Sequence, residues 1–299
     1  MTSETINRAG AKAKPAVTKE ARIVVPLSSA KDRRTDDTAT KVVSKRRGPS
    51  EQALNVGRYA SLRVKGRQAT IRRGFVRSDD PRRPPPVARL LVGGRGGEIR
   101  LKLYLSMLFI AVAAPYSTEF PARAWAEMFD LEAPADAGSR RVRDAIDWLE
   151  RHRFVRMVRR PGRESEVFLL SDEGTGAPFV LVSKEARDIW IKLPSEFWAK
   201  GWVAQLSGRA VVTLLVLLDY SRLVNQFGKS FWIPPVRARE LYSLSSETLA
   251  RGTSELVSLG VVTAEMKYFK ESPLAPLRRR KEYVVDLARI ELPPRVTSE

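Results

Sequence analysis

Gly138-Ser-Arg-Arg-Val-Arg-Asp-Ala-Ile-Asp-Trp-Leu-Glu-Arg-His-Arg-Phe-Val155 is the stretch on which the fold turns. Val142, Ala145, Ile146 and Leu149 recur at i, i+3, i+4 and i+7, the spacing of one buried helical face. That spacing predicts a helix over about Ser139–His152, with Ser139 as its N-cap. At 100° per residue the opposite face carries Arg140, Asp144, Asp147 and Arg151, flanked by Arg141, Arg143 and Trp148. Phe154–Val158 and Val167–Leu170 then read as two strands. The turn between them, Arg159-Arg160-Pro161-Gly162-Arg163, makes a β-hairpin with a basic tip.

Upstream, Leu101–Ala113 is apolar nearly all round and predicts a buried helix that Pro115 ends. Pro121 opens a short helix, Ala122–Phe129, with Trp125 and Met128 inward. Ala133–Gly138 is a break. The unit, 99–175, is therefore helix, helix, Arg-rich helix, basic hairpin.

The same order recurs downstream. Residues 176–206 read as a connecting strand and short helix, stopped at Gly201. In the second unit, 207–291, Ser207 caps an apolar helix, Gly208–Tyr220. Ser230–Pro234 is a short strand, Val236–Tyr242 a short helix and Ser246–Leu259 a third helix exposing Thr248 and Arg251. Val261–Phe269 and Tyr283–Leu287 pair as a hairpin, with a long tip, Ser272–Lys281, ending in Arg278-Arg279-Arg280-Lys281. Residues 292–299 form a tail. The two units share element order, not residues.

Charge is uneven. The chain carries 53 Lys+Arg against 34 Asp+Glu, net +19, and residues 1–99 hold 23 of those cations with only 9 acids. Residues 1–86, with Arg82-Arg83-Pro84-Pro85-Pro86 at their end, predict a disordered basic arm in which Glu51–Val64 forms only transient helix. Residues 87–98 predict a Gly-rich hinge. The arm is either a sequence-independent phosphate grip or a solvated linker or partner-binding tail.

Composition excludes much. With no Cys and a single His, His152, there is no disulfide framework, zinc finger, cysteine nucleophile or two-histidine chemistry. Phe227-Gly228-Lys229-Ser230 lacks the glycine a phosphate loop requires, since position 223 is Leu. No apolar run reaches the roughly 20 residues of a membrane span, and residues 1–25 lack a signal-peptide core. Neither enzymatic activity nor any cofactor or metal is expected.

Residues 138–155 and Ser246–Val262 resemble the recognition helix and wing entry of bacterial winged helix-turn-helix proteins. Leu193–Trp202 with Leu206–Ala210 resembles a lead-in of actinobacterial members, and the tandem layout is similar to plasmid replication initiators. The resemblance implies an α+β, mainly α fold, with two winged-helix modules in tandem after the basic arm. It implies double-stranded DNA as partner, with the third helix of each module toward the major groove and the wings on phosphate. The expected contact residues are Arg140, Arg141, Arg143, Asp144 and Arg151 on the first helix, and Arg159, Arg160 and Arg163 on its wing. In the second unit they are Thr248, Arg251, Arg278, Arg279, Arg280 and Lys281. The expected role is a cytoplasmic, nucleoid-associated transcription regulator. The alternatives are a replication initiator working with the replication machinery, and an architectural DNA- or RNA-binding protein. A homodimer fits any of these.

Overall fold

A computed structural model describes residues 47–80, 82–93, 95–181, 190–270, 272, 274 and 276–295. The first helix, α1 (Glu51–Arg63), is capped by Ser50, whose hydroxyl accepts the Ala53 amide at 3.2 Å. Strand β1 (Ala69–Arg72) runs into a single helical turn, α2 (Arg73–Val76). Pro86 opens α3 (Pro86–Leu91), since its fixed φ suits a first turn.

The first unit follows: α4 (Arg95–Ile110), β2 (Ser117–Thr118), α5 (Ala122–Met128), a wide π turn at Pro134–Gly138, and α6 (Ser139–Arg151). Strands β3 (Val155–Val158) and β4 (Glu166–Leu169) close it as a hairpin. The sheet order is β2-β4-β3, all antiparallel, so the early strand adds to the hairpin's far side. A connector supplies β5 (Trp190–Leu193), α7 (Glu196–Ala199) and α8 (Trp202–Gln205).

The second unit repeats the plan with α9 (Gly208–Leu223), α10 (Pro235–Tyr242), α11 (Ser246–Ser258) and the long hairpin β6 (Val262–Phe269) and β7 (Arg278–Val285). Here Phe231 stands in place of the early strand, bridging Tyr283. The chain is thus α+β with helix predominant, and its described sheets are small and antiparallel.

The two apolar helices form the centre. Leu101–Phe109 of α4 and Ala210–Leu218 of α9 are buried throughout, and the helices pack on each other. One continuous apolar cluster runs from Ala60 to Ile290 through both units. The units are fused rather than strung on a linker.

The expected disordered arm and hinge are corrected over residues 47–98. Helix α1 packs on α7 and α5, β1 pairs in full register with β5 (Ala69 opposite Leu193, Arg72 opposite Trp190), and α2 and α3 pack on α9 and α4. Ile71, Phe75, Val76, Val87 and Leu90 are fully buried. Phe75 stacks on Tyr104 of α4, but β5 and α9, which complete the burial, lie more than a hundred residues away, where local composition cannot register them. Gly97 of the expected hinge belongs to the fold as well: a Cβ on it would stand 2.2 Å from the Leu91 carbonyl oxygen. The expected arm over residues 1–46 lies outside the described residues, as does 296–299 of the tail.

Two smaller corrections bear on the site. Gly138 rather than Ser139 occupies the N-cap position of α6, while the Ser139 hydroxyl donates to the Pro134 carbonyl at 2.6 Å. Arg278-Arg279-Arg280-Lys281 lies in β7, not in the tip: these residues pair with Phe269, Tyr268, Lys267 and Met266 in turn.

Candidate nucleic-acid interface

Helix α6 buries the four apolar residues that its periodicity marks, and turns Arg140, Arg143, Asp144, Asp147 and Arg151 to solvent. These side chains are not equivalent. Arg140 lies 3.7 Å from Asp136, and the Arg151 Nε donates to the Asp147 carbonyl at 3.3 Å. Arg143 is exposed and makes no ion pair or hydrogen bond among the described residues. Arg141 is half-buried and lines a cavity of about 260 Å3 with Glu98, Ile99, Lys102 and Leu131. It therefore turns toward the α4 side rather than standing with the outer row.

One flank of α6 carries a stacked column absent from the expected contact set. The Arg100 guanidinium lies 4.3 Å from the Trp148 ring, and Trp148 stacks on His152 at 3.7 Å. The His152 Nδ1 is 2.8 Å from the Trp148 carbonyl at the helix end. The i, i+4 spacing of Trp148 and His152 is a sequence signal for this contact, but Arg100 on α4 is not reachable by local pattern.

Two of the first hairpin's four arginines are engaged by acids of the protein. Arg159 reaches back to α6, 3.4 Å from Asp147 and 3.5 Å from Glu150. Arg160 lies 2.9 Å from Glu119 and also pairs with Glu166. Arg163, beside Gly162 (φ +72°) at the tip, is exposed and makes no described ion pair. Arg156 projects from β3 with its guanidinium 4.3 Å from the Phe168 ring, an outward cation absent from the expected set.

In the second unit the two expected helix contacts are both engaged. Thr248 joins the cap of α11: its amide donates to Ser245 Oγ at 3.1 Å, and its hydroxyl lies 2.9 Å from the same oxygen. Arg251 pairs with Glu247 at 2.6 Å. In the ribbon, Arg280 lies 2.7 Å from Glu282, with its guanidinium 4.7 Å from the Phe269 ring and 5.6 Å from Trp232. Burial alone would raise the Glu282 carboxyl. The Ser230 and Arg280 hydrogen bonds, with the charges of Arg280 and Lys267, hold it below the ordinary carboxylate value. Arg278, Arg279 and Lys281 are exposed.

The site thus separates into two kinds of cation. Arg140, Arg159, Arg160, Arg251 and Arg280 brace the protein. Arg143, Arg163, Arg279 and Lys281 face solvent without an ion pair among the described residues. Among the described residues no cluster of acids and histidines could hold a metal ion, and no helix is long and apolar enough to cross a membrane. Comparison with known proteins returns no matching family model, no matching curated protein and no matching solved structure.

Proposed function

We propose that the chain is a double-stranded DNA-binding protein built on two winged-helix units and acts as a sequence-specific transcription regulator. The observation that carries this reading is the repeated plan. Each unit runs helix, short extended segment, helix, helix, hairpin, with the early segment added to the hairpin's second strand. In the first unit the third helix presents Arg143 at its exposed N-terminal half, where such a side chain reaches guanine in the major groove. Arg163, Arg279 and Lys281 supply phosphate contacts, and the net charge of +19 favours association with a polyanion.

A second reading, a replication initiator, is favoured by the fusion of the units through α4 and α9. Two unlike reading units at a fixed separation suit an asymmetric or directly repeated site better than a palindrome.

Selection of random duplexes on the full chain at about 150 mM salt tests both. One enriched site or an inverted pair supports a regulator, and arrayed direct repeats support an initiator. Binding without enrichment replaces both with an architectural role. Absence of binding overturns the DNA reading.

A further inference from the structure

We infer that the second unit engages duplex DNA with one face of its β6–β7 ribbon, and that its third helix, α11, does not serve as the reading element. This rests on the DNA-binding reading above.

The helix is the first half of the case. Helix α11 carries one cation, Arg251, which Glu247 neutralises one turn away at 2.6 Å. Its second acid, Glu255, accepts from both the Ser207 amide and hydroxyl, at 2.7 and 2.5 Å, fixing the start of α9. The Thr248 hydroxyl is held at the cap. What remains outward is Ser246, Ala250, Ser254, Val257 and Ser258. A helix lowered between two phosphate walls needs positive charge that no acid neutralises, and this one has none.

The ribbon is the second half. Its strands pair without a break over eight residues each, from Val262 opposite Val285 to Phe269 opposite Arg278, a reach of about 26 Å at strand rise. Residues directly opposite share a face. One face puts Tyr268 beside Arg279 and Met266 beside Lys281. Tyr268 is 63% exposed and Met266 50%, and both cations face solvent. The other face is braced around Glu282: Arg280 is held by Glu282 and lies near the Phe269 and Trp232 rings, Lys267 lies 3.5 Å from the same carboxylate, and Ser230 ties Glu282 to the loop below at 2.6 Å, while Thr263, Glu265 and Arg278 on that face are exposed. One face therefore stiffens the ribbon while the other presents alternating cations and amphipathic side chains. A two-stranded ribbon fits the major groove of B-form DNA. The face gives Arg279 and Lys281 to phosphates and sets Tyr268 and Met266 against the groove.

The experiment is equilibrium binding of the full chain to a labelled 30-base-pair duplex across a salt series. Three doubly substituted proteins are compared with wild type: Arg279→Gln with Lys281→Gln, Thr248→Ala with Arg251→Ala, and the charge-retaining Arg279→Lys with Lys281→Arg. The glutamine pair is expected to weaken binding about tenfold and to reduce the salt slope by about 2, one for each phosphate no longer neutralised. The α11 pair and the charge-retaining pair are expected to stay within about twofold of wild type, the latter excluding a folding defect at these positions. Loss of affinity in the α11 pair with the glutamine pair unchanged overturns the inference and leaves DNA binding standing. Wild type that prefers single-stranded RNA to the duplex overturns it as well. Wild type that binds no duplex at all overturns the underlying reading instead.

Discussion

Gly57 on α1 lies directly against the backbone of Trp198 on α7: a Cβ built at Gly57 would stand 2.1 Å from the Trp198 carbonyl oxygen. Trp198 is itself fully buried, stacks on Phe109 at 3.9 Å and donates from Nε1 to Ser106 Oγ at 2.8 Å. Helix α1 is thereby seated on the same column of residues as the central helix α4. Gly57→Ala must push α1 off this seat, and overpacking of this kind costs about 1–3 kcal/mol. Gly74→Ala is the matched control, because nothing lies within 4 Å of its Cβ position and its φ is ordinary. Thermal melts should show a clear loss for the first and none for the second, and equal melting points would mean that α1 is not docked as described.

That contact also shows where the sequence was opaque. Gly57 and Trp198 are 141 positions apart, and neither neighbourhood announces the other. Pattern reading succeeded where burial is periodic within one element, as in α6, where Val142, Ala145, Ile146 and Leu149 are all buried. It failed for β1, whose four residues look like scattered apolar positions until β5 pairs with them. The candidate site divides the same way. That arginines cluster on α6 and on the hairpins was legible. Which of them stay free was not, because Glu119 neutralises Arg160 from a loop 41 residues earlier.

Asp219, Tyr242 and Arg77 form a buried link between α9, α10 and the N-terminal layer. The Tyr242 hydroxyl donates to Asp219 at 2.8 Å, and Arg77 Nη1 lies 3.6 Å from the same carboxylate oxygen. Burial raises the Asp219 carboxyl above its ordinary value, against the opposing pull of the Tyr242 hydrogen bond and the Arg77 charge. A carboxyl raised in the folded state stabilises most when protonated. Its contribution is full below the ordinary carboxylate pKa and is lost as pH rises through the folded value. Unfolding free energy measured from acid to neutral pH should therefore contain a falling component that disappears in Asp219→Asn. Tyr242→Phe should cost about 1–3 kcal/mol at neutral pH by leaving a buried charge short of a donor. A pH profile identical in wild type and Asp219→Asn would exclude this assignment.

Arg143 and Arg140 sit one turn apart on α6 and should behave differently. Arg143 has no ion-pair or hydrogen-bond partner among the described residues, whereas Arg140 faces Asp136. On the DNA reading, Arg143→Ala should cost about 1–3 kcal/mol of affinity for a selected site and relax preference at one base. Arg140→Ala should cost less, since Asp136 already neutralises part of its charge. Equal losses on selected and random duplexes would assign Arg143 to phosphate instead.

Arg160 and Arg163 provide the same contrast on the first hairpin. Arg163→Ala should weaken all duplexes alike and lower the salt slope by about 1. Arg160→Ala should leave that slope unchanged and cost about 1 kcal/mol or less of stability, because its partners Glu119 and Glu166 hold a largely surface ion pair. A slope change in the Arg160 protein would show that its ion pairs open on binding.

Glu282 holds the braced face of the second ribbon through Ser230, Arg280 and Lys267. Its carboxyl lies below the ordinary value because those partners outweigh burial. A depressed carboxyl contributes stability that is present above its unfolded pKa and is lost as pH falls through the folded one. Amide protection factors in β6 and β7, which divide out the intrinsic slowing of exchange by acid, should therefore fall on acidification through and below the ordinary carboxylate range, while those in α9 hold. Glu282→Gln keeps the shape but loses the charge that holds Arg280 and Lys267, so its ribbon should exchange faster at neutral pH and respond less to acid. Unchanged exchange in that protein would mean that Trp232 and Phe269 alone keep Arg280, and with it the ribbon, in place.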